Sequence, residues 1–139
     1  MPAFRWGLLC SRPIVDQQTN SVSYIDVMEA LATPSLPQVA QPFFVAALWT
    51  LTESDSTIFR IRARVLDPQF NQVGVPAELA SKIEKKHQRV RTNMLLSGVT
   101  LEVYGTYNVV LESFEDGEWR ECAKLPFGVE QRTEDGQPR

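Results

Sequence analysis

The sequence predicts an all-β fold: a single-domain β-sandwich of about seven antiparallel strands, with one helical or loop insertion at about residues 76–92. Three observations carry this. Side-chain character alternates with period two over much of the chain, as in Phe4, Trp6, Leu8 and Cys10 against Arg5, Gly7 and Leu9. Clusters of Pro, Gly, Asn and Asp separate the alternating segments, where turns need them. The 139 residues, 43% of them hydrophobic, suit one domain whose core needs neither disulfide nor metal.

The opening strand runs from Phe4 to Cys10, and a polar turn, Asp16 to Asn20, leads to a second strand at Val22 to Val27. Ala32 to Pro37 reads as a loop, because its two prolines cannot donate ladder hydrogen bonds. Phe43 to Thr52 and Ser56 to Leu66 read as a hairpin with the tip Glu53-Ser54-Asp55. After the turn-rich Asp67 to Asn71, the pattern changes. Leu79, Ile83 and Val90 fall on one helical face behind Pro76, which gives either a helix of three or four turns or a mobile loop. Strands return at Met94 to Val103 and Tyr107 to Phe114, joined by Tyr104-Gly105-Thr106. Asp116-Gly117 is a hairpin turn signal before the last strand, Trp119 to Val129. Residues 1–129 thus form the domain, and Glu130 to Arg139 form a polar, frayed tail. Trp6, Trp49 and Tyr107 lie on apolar alternations and belong in the core, whereas Trp119 follows a turn and is a candidate for exposure. An open sheet packed by the single helix is the alternative architecture.

The order of these segments resembles a family of short bacterial proteins known only as a domain of unknown function. The likeness rests on the strand ending Leu8-Leu9-Cys10, the strand near Val22 to Val27 and the proline-bearing loop around Pro37. It continues in Gly105-Thr106-Tyr107 opening a late strand and Leu125-Pro126-Phe127-Gly128-Val129 closing the domain. Ser11 departs from the pattern, in which an acidic residue often follows the cysteine. The resemblance implies a β-sandwich and no activity.

The chemistry-bearing residues exclude more than they suggest. The single histidine, His87, sits among Lys85, Lys86 and Arg89, with no serine or cysteine placed beside it by a recognisable motif. Nucleophile-elbow and glycine-rich phosphate motifs are absent from the sequence. One histidine and two distant cysteines do not make a zinc site. The acidic loops at Glu53 and Asp55, Asp67, and Glu115 with Asp116 fall at different ends of an up-and-down topology, against a shared calcium site. The reading is a non-enzyme without cofactor or metal. Cys10 and Cys122 read as buried free thiols. The longest later apolar run, Phe43 to Trp49, is about a third of a membrane span, and Arg12-Pro13 cuts the first run short of a signal peptide. A soluble, cytoplasmic protein follows.

Charge is segregated. The net charge is −3, yet Arg60 to Arg91 holds eight basic residues against three acidic ones, leaving the rest at −8. Arg60, Arg62 and Arg64 alternate with Ile61, Ala63 and Val65, so one strand face carries all three. Lys82, Lys85, Lys86, Arg89 and Arg91 continue the basic surface along the expected helix. These eight residues are the candidate partner-binding site of a protein-interaction module. Self-association is open as well, and nucleic-acid phosphates on the same patch are the alternative. The plainer account is cross-strand pairing of the arginines with Glu102 or Glu112.

Overall fold

A computed structural model describes residues 2–52, 55, 58–83 and 89–132. It is a β-sandwich, and among the described residues there is no helix. The strands are β1 (Ala3–Val15), β2 (Val22–Val27), β3 (Ala30–Thr33), β4 (Gln38–Val39), β5 (Phe43–Thr50) and β6 (Ile58–Leu66). They continue as β7 (Gln72–Lys82), β8 (Arg89–Leu96), β9 (Thr100–Leu101), β10 (Gly105–Glu115) and β11 (Glu118–Gln131). One sheet has the order β2-β1-β5-β8, the other β3-β11-β10-β6-β7, and β4 pairs with β9.

The core lies between the two large sheets. Inward residues alternate along β5 (Phe43, Val45, Ala47, Trp49) and β6 (Phe59, Ile61, Ala63, Val65), as period-two patterning demands. Trp49 is fully buried and makes edge contacts with Phe4 of its own sheet, at 5.6 Å, and Phe59 of the facing sheet, at 5.5 Å. Its Nε1–H donates to Thr92 Oγ1 at 2.9 Å, so its one polar atom is satisfied inside. Tyr107, also fully buried, stacks on Phe127 and donates its hydroxyl to the Val103 carbonyl at 2.8 Å.

Several expectations change in the folded chain. Where it is described, the basic segment after Pro76 is strand, not helix or mobile loop: β7 and β8 occupy 72–82 and 89–96, and residues 84–88 lie outside the described residues. Leu79 and Ala77 turn inward with a period of two, and β7 pairs with β6. Pro76 does not open a helix. It sits with Gly74 (φ +76°) and Val75 in a bulge of the outermost strand, where its missing N–H breaks no ladder bond. Phe43 to Thr52 and the segment to Leu66 do not form a hairpin either, because β5 and β6 belong to different sheets and the chain crosses the sandwich between them. The pairing is not wholly antiparallel, since β3 runs parallel to β11. β11 also extends two residues past the expected boundary at Val129. The Asp116-Gly117 hairpin forms as read, with both residues at positive φ (51° and 80°).

Trp6 is not in the core. The ladder slips between Phe4 and Trp6, so Phe4 pairs with inward Trp49 but Trp6 pairs with outward Leu48. One extra residue therefore sends Trp6, Leu8 and Cys10 to the outer face.

Replacing Thr92 with Val should strand the buried Trp49 N–H and lower unfolding free energy by about 1–3 kcal/mol. Urea titration followed by tryptophan fluorescence reads this, and Thr92→Ser should restore most of it.

Candidate functional site

The arginine ladder forms as the alternation requires, on the outer face of the five-stranded sheet. It is not a free cationic surface. Register places Arg62 between Glu112 of β10 and Glu78 of β7. The Glu112 carboxylate, 8% exposed, accepts Arg62 Nε at 2.9 Å and Arg64 Nε at 2.7 Å. Arg60 reaches Glu78 at 3.4 Å, a pair in which both side chains are more than 40% exposed. Its guanidinium lies 4.7 Å from the Phe114 ring centroid, and that of Arg62 lies 4.4 Å from Trp119. Both guanidinium groups sit over aromatic rings, and Trp119 beneath them is half-buried rather than bare. Of the two carboxylates the sequence offers for this pairing, Glu112 makes it and Glu102 makes none of these contacts.

The rest of the basic segment is elsewhere. Lys82 is exposed at the end of β7, and Lys85 and Lys86, with His87, lie outside the described residues. Arg89 and Arg91 alternate with inward Val90 and Thr92, which puts them on the outer face of the four-stranded sheet. The sandwich thus separates two arginine groups that are continuous in the sequence.

That second face carries an arch. β1 pairs with β5 through Cys10 and with β2 from Cys10 to Val15, so the β1–β2 hairpin extends past the sheet's body. Tyr24 of β2 meets Trp6 edge-on at 5.7 Å, and Arg91 Nη2 donates to the Asn20 carbonyl at 3.2 Å. Both contacts require the hairpin to fold back over the face. Cys10 and Ala46, outward in register, are accordingly fully buried. Burial pushes the Tyr24 hydroxyl pKa up, against a downward pull from Arg91. Beneath the hairpin tip, Trp6, Asn20, Leu48, Arg89 and Arg91 surround a cavity of about 580 Å³. Trp6 remains 39% exposed there. Sequence alternation could not find this site, because the bulge at Arg5 is invisible in a period-two pattern.

The cysteines are free thiols. Cys10 lies under the arch, and burial pushes its pKa up. Cys122 is the extra residue where the β10–β11 register slips, and its thiol donates to Ser113 Oγ at 3.4 Å. Burial raises its pKa too. Asp67 is occupied in closing its own turn, accepting the Gln69 and Asn71 amides at 2.8 and 2.9 Å. No described helix is long and apolar enough to cross a membrane.

The model of one protein family, described as "Family of unknown function (DUF6941)", matches residues 6–130. No curated protein matches the chain.

Glu112→Ala should leave two guanidinium groups without their shared acceptor and cost about 2 kcal/mol in urea unfolding. Glu78→Ala, at an exposed pair, should cost at most about 0.5 kcal/mol. Raised thiol pKa values mean less thiolate at a given pH. At pH 8, iodoacetamide should therefore alkylate Cys122 more slowly than glutathione, and Cys10 only on unfolding, as peptide mass spectrometry would show.

Proposed function

The chain belongs to DUF6941, a family of unknown function, and we propose that it is a non-enzymatic interaction module docking an acidic, apolar-tipped segment of a partner protein. The docking site is the cleft under the β1–β2 hairpin. One observation carries this: Trp6 stands partly exposed beside Arg89 and Arg91, whereas Arg60, Arg62 and Arg64 are bound to carboxylates and rings of their own sheet.

Tryptophan and arginine are the residue types that most often dominate binding energy at protein interfaces. Trp6 and Leu48 offer an apolar floor for a partner's aromatic or aliphatic tip. Arg91 uses one donor on Asn20, and a guanidinium has five. Arg89 and Arg91 together present a planar, bidentate match to carboxylates, which favours an acidic partner.

The same residues suit a single nucleic-acid strand, with a base stacked on Trp6 and phosphates on the two arginines. Salt separates the readings. Two phosphate contacts on a single strand give a log–log salt slope of roughly −1.4, and nuclease removes the ligand.

The test is capture from lysate by the tagged full chain, with and without nuclease, compared with Trp6→Ala and Arg89→Ala/Arg91→Ala. A stoichiometric protein that survives nuclease should lose about 30-fold in affinity with Trp6→Ala, matching about 2 kcal/mol for an anchor residue. Arg60→Ala should leave it unchanged. Capture unaffected by either cleft variant, in folded protein, overturns the reading.

A further inference from the structure

A second site lies on another flank of the sandwich, where the chain turns one corner between the sheets. Met28 N donates to Leu9 O in the four-stranded sheet, and Gly128 N donates to the next residue, Glu29, at its carbonyl oxygen in the five-stranded one. Asp26, at φ +52°, supplies the bend. From this corner β3 runs as the edge strand of the five-stranded sheet, with only β11 beside it.

The parallel ladder fixes which backbone groups of β3 are used. Gly128 N bonds Glu29 O, and Arg132 N bonds Thr33 O, so Glu29, Leu31 and Thr33 turn their peptide groups toward β11. Ala30 and Ala32 turn theirs the other way. Both are exposed, and their methyl side chains leave the edge accessible.

This open edge borders a cavity of about 570 Å³ between β3 and β4, a size typical of ligand clefts. Buried Phe43 and Leu101 lie at its base. Asp26 lines it beyond the beginning of β3, and Arg132, bonded through its amide to Thr33, lines it at the end. Among the described residues neither charge is in an ion pair. Among the described residues the groove therefore carries unused hydrogen-bonding groups along one wall, an apolar floor, and opposite charges toward its two ends.

We propose that this groove is a strand-addition site for an extended peptide. The peptide backbone pairs with Ala30 and Ala32, and alternate side chains reach the Phe43–Leu101 floor. A basic residue faces Asp26, and an acidic one, four or so positions away, faces Arg132. Main-chain pairing supplies affinity, and the two end charges set register and direction. The site is independent of the Trp6 cleft, so either can fail alone.

The test uses the isotope-labelled full chain and two end-capped probes, Lys-Thr-Val-Thr-Glu and its reverse, in which both charges and the valine share one face. One probe should shift the Ala30 and Ala32 amide resonances and slow their hydrogen exchange, with Trp6 Nε1–H unmoved. Asp26→Asn tolerates the positive φ, and combined with Arg132→Gln it should weaken that probe at least tenfold. Ala32→Pro should abolish pairing, and the double variant decides the matter if the proline variant does not fold. No shift at Ala30 and Ala32 up to about 1 mM probe, or affinity indifferent to the double variant, overturns the proposal. So does concentration-dependent pairing of β3 with a second copy that excludes the probe.

Discussion

The burial of Trp49 is the constraint on which the rest of the structure depends. Its indole touches aromatic rings from both sheets, and its N–H donates to Thr92. A side chain of that size, wholly enclosed, fixes which residues of β5 face inward. It also makes a flat β5–β6 hairpin unworkable, because Phe59 must come over Trp49 from the facing sheet. The crossing between β5 and β6 follows. β7 then stays with β6 while β8 pairs with β5, which puts Arg60, Arg62 and Arg64 on one exterior and Arg89 and Arg91 on the other.

The two exteriors show how little a count of arginines says about a surface. On the five-stranded sheet, Glu112 and Glu78 flank Arg62 in register and reach Arg64 and Arg60 diagonally, with two rings above. Guanidinium groups placed there stiffen the sheet. On the four-stranded sheet, the neighbours of Arg91 in register are Leu48 and, beyond it, Trp6. The same group set beside apolar partners keeps most of its donors for something else.

Much of the fold was legible in the sequence. The alternation around Arg60 to Arg64 gave both the strand and its outward face, Asp116-Gly117 gave the last hairpin, and Glu112 was one of the two pairing partners the sequence offered, with Glu102. Three features were not legible, each for a physical reason. Leu79, Ile83 and Val90 satisfy a helical spacing as well as a strand's, and Pro76 is as acceptable in an edge bulge as in a first helical turn. Trp6 looked like core because a bulge inverts parity without leaving a mark in the residue pattern. The β5–β6 crossing is a choice between sheets, and local sequence carries no information about which sheet a strand joins. The candidate cleft depends on the second of these and on β8 joining the sheet of β5, which is why the sequence pattern reached Arg89 and Arg91 but placed them beside the wrong neighbours.

The parallel union of β3 with β11 has a temporal consequence. Ala30 pairs with Gly128 and Thr33 with Gln131, so an early segment waits for one of the last strands made. The β6–β7 and β10–β11 hairpins are local and can close quickly, but contacts between distant segments are slow to form because a long loop must first be ordered. On a ribosome, β3 emerges long before its partner and has two unsatisfied edges in the interval. The flank of the sandwich that stays open on one side in the finished protein is thus the flank that is open on both sides for longest during synthesis.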